Sequence, residues 1–293
     1  LKKGLSLALF LLLATASSAR PIVALLTDFG LDNEAVGLCH GAILAINPEI
    51  DVVDLCHRVE PYNIQQGALM LKRTTGFPKG SVFVAVVDPG VGTARTALAI
   101  ETERHLFYVA PNNGLLSEVI RDQGILKAYR LDPKRVNPDW SPGTFDGRDL
   151  FGPAGALLAS SSGSLDRIGV SVGDQEIILL DPIRPALFPD EHKIVGHYLR
   201  TDTPYGNVST DIRGEDLSSI GASAGTTLRV VAGKRKAEVP LVVSFGQVEK
   251  GRPLAYLDSG GSLALAINQG NISREWDLIE GMEITIIAEK KGG

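Results

Sequence analysis

Several short stretches of this sequence place acids where they could do chemistry. Asp28, in Thr27-Asp28-Phe29-Gly30, and Asp88, in Asp88-Pro89-Gly90-Val91-Gly92, each follow an apolar run. A carboxylate held at the end of a buried strand, beside loop backbone, can accept both hydroxyls of a ribose. An Asp in that place can equally cap the turn that follows, and spacing alone leaves both roles open. Arg95 lies seven residues after Asp88, so a turn that folds back would pair them. The guanidinium would then depress the Asp88 pKa and keep the acid ionised. An unrelated surface Arg is the plainer alternative.

Three further polar stretches stand beside these. Thr144-Phe145-Asp146-Gly147-Arg148-Asp149 precedes a helix-like stretch, where either Asp146 or Asp149 can serve as its cap. Asp202-Thr203-Pro204-Tyr205-Gly206-Asn207 is a polar turn just beyond a Pro-rich segment, and domain junctions favour small-molecule sites. Ser259-Gly260-Gly261 and Asn268-Gln269-Gly270-Asn271 read alone as loops. No Cys/His pair has metal-ligand spacing, so no metal site is expected. Cys39 and Cys56 both sit in apolar stretches and are expected as small buried residues, since one pair is not a disulfide framework.

The elements that must position these residues alternate from Pro21 onward. Ile22–Thr27, Asp51–Leu55, Ser81–Val87, Leu98–Glu101 and Leu106–Ala110 read as strands. Glu34–Ile46, Asn63–Thr74, Leu115–Arg121 and Asp149–Ser160 read as helices between or after them. The alternation predicts an α/β domain with a mainly parallel sheet, over residues 20–181. Residues 182–192, with Pro182, Pro185 and Pro189 in or at the edge of the stretch, read as a linker. Beyond it, Thr227–Val231, Val239–Val243, Pro253–Leu257, Leu263–Ile267 and Glu283–Ala288 are short β-rich runs between Gly-rich turns. They predict an antiparallel β-barrel or sandwich over residues 193–293.

The chain has 293 residues, a net charge of −5 and no basic surface suited to a nucleic-acid backbone. Its first 19 residues have the layout of a secretory signal peptide: Lys2 and Lys3, an apolar run from Leu5 to Ala14, then small residues to Ala19. The run is shorter than the ~20 residues a membrane span needs. The expectation is an exported protein, periplasmic or secreted, without a membrane anchor once cleaved after Ala19.

Taken in order, the polar stretches resemble those of the S-adenosyl-L-methionine (SAM) hydroxide adenosyltransferases, the SAM hydrolases related to fluorinase and chlorinase. The resemblance runs from about Ile22 to Ile287 and includes Pro111-Asn112-Asn113-Gly114-Leu115-Leu116. It implies an N-terminal α/β domain, a C-terminal β-barrel, and homotrimers with active sites at subunit interfaces, with no cofactor. It also implies that Asp28, beside Phe29, binds the ribose diol, and that Asn112, Asn113 and Phe145 belong to the substrate site. By the same resemblance Asp202, Tyr205 and Asn207 help hold the adenosine, and Ser259 and Asn268 lie near adenine and the methionine carboxylate.

The family's catalytic set is an Asp, an Arg and a His. Asp88 and Arg95 match the first two, and Asp146 stands where the His belongs. None of His40, His57, His105, His192 and His197 lies in that motif. Asn112 stands where the family usually has Asp, and Ala35 where an aromatic is common. If Asp146 takes the missing histidine's place, it lies near Asp88, and like charges raise the pKa of one unless Arg95 offsets them. The reaction implied is hydrolysis of SAM to adenosine and L-methionine. A binding protein for SAM or adenosine that has lost turnover is the first alternative. A halide-dependent transferase ranks lower, since Gly147 after Asp146 offers no hydroxyl to an anion.

Overall fold

The computed structural model describes residues 19–289. The proposed signal peptide lies outside the described residues but for Ala19. The described residues divide into two compact units, one of residues up to 62 with 77–113 and 123–177, the other of 63–76, 114–122 and the residues from 178 onward.

The first unit is built on a seven-stranded sheet of β1 (Ile22–Thr27), β2 (Asp51–Cys56), β3 (Val82–Val86), β4 (Ala97–Glu101), β5 (Phe107–Pro111), β6 (Lys127–Leu131) and β7 (Gly169–Ser171). Their order across the sheet is β2-β1-β3-β5-β4-β6-β7. Pairing is parallel from β2 to β5 and antiparallel from β5 to β7. The parallel part is the expected one. The reversal at β4 and β5 follows from their short connection, which can close a hairpin but cannot carry a parallel crossover. Strands β3, β4 and β5 are buried along their whole length, as their unbroken apolar runs require.

Helices Ala35–Ile46 and Gly152–Ser160 pack on one another, and the second lies against β1 and β3. A Cβ at Gly155 would overlap Val84 Cγ2 and come 3.7 Å from Val23 Cγ1, so the absence of a side chain there lets the helix approach the sheet. Cys39 is buried, Cys56 is half-buried, and both thiols are free. Burial pushes the Cys39 thiol up to about 12, which keeps it protonated and unreactive.

The second unit is a nearly closed antiparallel barrel. Its strands are β8 (Ala186–Phe188), β9 (Lys193–Asp202), β10 (Asn207–Arg213), β11 (Thr227–Ala232), β12 (Arg235–Pro240), β13 (Pro253–Leu257), β14 (Ser262–Ile267) and β15 (Glu283–Ala288). They run β12-β11-β15-β9-β10-β14-β13, with β8 added beside β9. A bridge from Leu241 to Ala255, next to β12 and β13, brings the two edges together. The inward residues Ile194, Tyr198, Val208, Ile212, Leu228, Val230, Leu263, Leu265, Ile284 and Ile286 form its core. The strand expected at Val239–Val243 is instead Arg235–Pro240, and Val243 is 78% exposed. Hairpin pairing of Ala232 with Arg235 sets this register.

Candidate active site

In the first unit a cavity of about 360 Å³ opens beyond the ends of β1 and β3, lined by Asp28, Phe29, Tyr62, Asp88, Phe145 and Asp146 among others. This is where an open α/β sheet places a ligand. Three of the acids and two of the three aromatics singled out in the sequence meet here. Thr27 Oγ1, not Asp28, accepts the Phe29 N–H of the turn. Asp28 Oδ2 accepts the backbone N–H of Tyr62 at 2.9 Å, which anchors one oxygen of the carboxylate. Phe29 and Phe145 meet edge to face, 5.8 Å between centroids. A Cβ at Gly147 would stand 2.9 Å from Phe29 Cζ, so the glycine after Asp146 gives the ring its place.

Asp88, Arg95 and Asp146 form one hydrogen-bonded group. Arg95 Nη2 donates to Asp88 Oδ2 at 2.5 Å and to Asp146 Oδ2 at 2.9 Å, and Arg95 Nε donates to Asp88 Oδ1 at 3.2 Å. All three side chains are at least nine-tenths buried. The Arg95 guanidinium also lies over the Phe151 ring, 5.2 Å from its centroid. Asp146 stands at the N-cap of the π-helical turn Gly147–Phe151 but makes no side-chain cap bond. Its second oxygen instead accepts from Trp140 Nε1 at 3.2 Å. Asp149 pairs with its neighbour Arg148 at 2.6 Å.

The electrostatics correct one expectation. Arg95 does pair with Asp88, yet the Asp88 pKa is raised, not depressed. Burial of the carboxyl is the largest cause, and the negative charge of Asp146 adds to it. Arg95 and the Gly90 N–H pull the other way without overcoming them. One guanidinium is shared between two carboxylates, so ionising both would leave the group one negative charge in excess.

Asn112 and Asn113 are not among the residues lining this cavity. Asn112 Nδ2 donates to Thr96 Oγ1 and the Glu176 carbonyl, and Asn113 Nδ2 to the Val87 carbonyl at 2.9 Å. Asn113 thereby holds the backbone just before Asp88.

The second unit carries its own cavity of about 290 Å³, lined by Asp202, Asn207, Tyr256, Asp258, Ser259 and Arg200 among others. It gathers three of the five residues expected there. Tyr205 is 68% exposed on the turn, and Asn268 Nδ2 donates to the Val248 carbonyl at 2.6 Å; neither lines the cavity. Burial raises the Tyr256 pKa, and Asp202 and Asp258 reinforce it. Burial also works against ionisation of Asp258, but the N–H groups of Ser262 and Gly260, with Arg73, outweigh it and lower its pKa.

Sequence reasoning passed over Tyr62, Trp140, Tyr256 and Asp258. Trp140 is one of only two tryptophans and stands six residues before Asp146, which was the available signal. Tyr62 acts through its backbone, for which no side-chain signal exists.

Comparison with known proteins identifies the family. Residues 23–169 match the profile of the SAM hydroxide adenosyltransferase N-terminal domain, and residues 196–285 that of its C-terminal domain. A fluorinase of Nocardia brasiliensis is 32% identical, over 94% of this chain and 99% of its own. An (R)-S-adenosyl-L-methionine hydrolase of Thermus thermophilus is 35% identical, over 92% of this chain and 100% of its own. The crystal structure of an uncharacterized conserved protein from Thermotoga maritima superposes with a TM-score of 0.85 at 32% identity, covering 90% of this chain and 99% of that one. With both domain profiles matched in order and the relatives aligned nearly end to end, the chain belongs to the SAM hydroxide adenosyltransferase family.

Proposed function

We propose that this protein hydrolyses S-adenosyl-L-methionine to adenosine and L-methionine, by attack of water on C5′ of the ribose. The observation that carries the reading is the buried group of Asp88, Arg95 and Asp146 beside Asp28 in one cavity. The chemistry asks little of the protein. The C5′–S bond breaks with its electron pair going to sulfur, so methionine leaves as a neutral thioether and needs no general acid. What remains is to hold C5′ in line with a water and take that water's proton. Asp28 receives the ribose hydroxyls with the oxygen that Tyr62 leaves available. Asp88 is the proton acceptor, and Asp146, held by Trp140, orients the attacking water in place of a histidine.

With both carboxylates ionised, the negative excess of the group supports this reading over halogenation. It favours a sulfonium cation at close range and opposes a desolvated halide. The barrel cavity with Asp202, Asn207 and Ser259 supplies the remaining adenosyl contacts from a neighbouring copy in a homotrimer. Purified protein incubated with SAM in ¹⁸O-enriched water is expected to release methionine and adenosine labelled at the 5′ oxygen. No adenosine would overturn the proposal, as would product formed only with added halide. Calorimetry that finds adenosine bound without turnover selects a binding protein instead.

A further inference from the structure

Three side chains from helix Ala35–Ile46 and from in and beyond β2 converge on one point. His40 comes from helix Ala35–Ile46, Asp54 from β2, and His57 from just beyond β2. His40 Nε2 lies 2.7 Å and His57 Nε2 2.9 Å from the same oxygen, Asp54 Oδ1. All three ligand atoms lie within 4.8 Å of one another. We propose that His40, Asp54 and His57 form a binding site for a divalent transition-metal ion of the zinc class.

The donor set and its support both fit such an ion. Two imidazoles and one carboxylate suit zinc, cobalt or nickel, whereas magnesium and calcium take oxygen ligands. Bonds of ~2.0–2.1 Å at tetrahedral angles hold ligand atoms about 3.3 Å apart, which small side-chain rotations here would reach. The His57 side chain is 2% exposed, and its other ring nitrogen, Nδ1, lies 2.9 Å from Thr27 Oγ1. An imidazole whose second nitrogen is already held by a hydroxyl has its ring orientation fixed for ligation through Nε2. His40 and Asp54 are 29% and 46% exposed, which gives an ion a way in and leaves a fourth position for solvent. Spacings of 14 and 3 residues make no recognised motif, so only the fold brings the set together.

The site also has a structural reach. The Gly30 N–H donates to the His57 carbonyl at 2.7 Å, and the Val59 N–H to the Thr27 carbonyl at 3.3 Å. An ion held by His57 therefore braces the segment that carries Asp28.

The test uses tag-free, chelator-treated protein titrated with Zn²⁺, and with Co²⁺ as a spectroscopic probe. One zinc per chain by elemental analysis, a higher melting temperature, and the visible absorption of four-coordinate cobalt are expected. His40→Ala alters a partly exposed side chain and is expected to melt like the parent without metal, while Asp54→Asn keeps a hydrogen-bond acceptor for His57 and is expected to melt slightly lower. Each is expected to weaken zinc binding at least ~10-fold, since even a partner that only orients a ligand is worth about 10–100-fold. Absence of a stoichiometric ion in the parent would overturn the site. Equal zinc binding by the parent and both variants would overturn it too, by placing the ion elsewhere.

Discussion

Arg95 divides one guanidinium between two buried carboxylates, and the consequences can be measured residue by residue. Because burial raises the Asp88 pKa, the native fold holds the Asp88 proton more tightly than the unfolded chain does. Its contribution to stability therefore declines as pH rises through the native pKa. Asp88→Asn removes the excess charge and is expected to leave the melting temperature unchanged or higher. The same variant is expected to lose about 10²–10⁴-fold in SAM turnover, the usual worth of a positioned base. In the parent the acidic limb of the rate profile should lie above the ~3.9 of an ordinary Asp. A limb at or below that value would show that another group is the base. Trp140 is a positioning residue. Trp140→Phe keeps an aromatic ring, though a smaller one, and removes the N–H to Asp146, a hydrogen bond to a charged group worth about 1.5–3 kcal/mol. The expected result is a roughly 10–100-fold lower kcat with KM little changed, and Asp146→His should abolish the dependence on Trp140.

At the scale of elements, close packing of helix Gly152–Ser160 on the sheet places the turn that carries Asp146. Gly155→Val would drive a branched side chain into Val84 and Val23. Overpacking of this kind costs about 1–3 kcal/mol, read as a lower denaturant midpoint with an unchanged slope. How far such elements could be read from the sequence depended on how apolar they are. β1, β3, β4 and β5 are nearly continuous apolar runs because both faces are covered, and such runs are visible in a sequence. β9 and β10 are different. Ile194, Gly196 and Tyr198 are buried in alternation with the less buried Val195 and His197, and β10 buries Ser209, Thr210 and Asp211, so neither presents a continuous buried apolar run. β12 carries Arg235, Lys236 and Glu238 and is defined by its hairpin partner, not by its own composition. The site divides in the same way. Asp28, Asp88, Arg95 and Asp146 stood in motifs, whereas the bond from Trp140 and the net direction of the Asp88 shift depend on burial that only packing creates.

For the whole molecule, two expectations concern assembly and destination. A homotrimer should show three times the chain mass by light scattering, and a single-chain mass would remove the neighbour's barrel from the proposed pocket. Export should yield a mature N-terminus at Arg20 when the full sequence is expressed with an intact secretion pathway, read by N-terminal sequencing of the extracytosolic protein. The Arg20 guanidinium lies 3.0 Å from Asp51 at the start of β2.

The two compact units are interleaved along the chain, and this bears on how the protein is made. Helices Ile64–Leu71 and Ser117–Gln123 lie in segments that group with the barrel, yet both are synthesised before any barrel strand. Within that unit Arg73 ion-pairs with Asp258 at 3.3 Å, and Gln66 donates to Glu280, partners separated by 185 and 214 residues. A ribosome therefore releases these early segments long before their partners exist. Contacts of such separation slow folding through the loop entropy they must first overcome. A fragment beginning at residue 178 would leave the barrel unit without Arg73 and without both helices, so that half of the gene alone does not encode the whole unit.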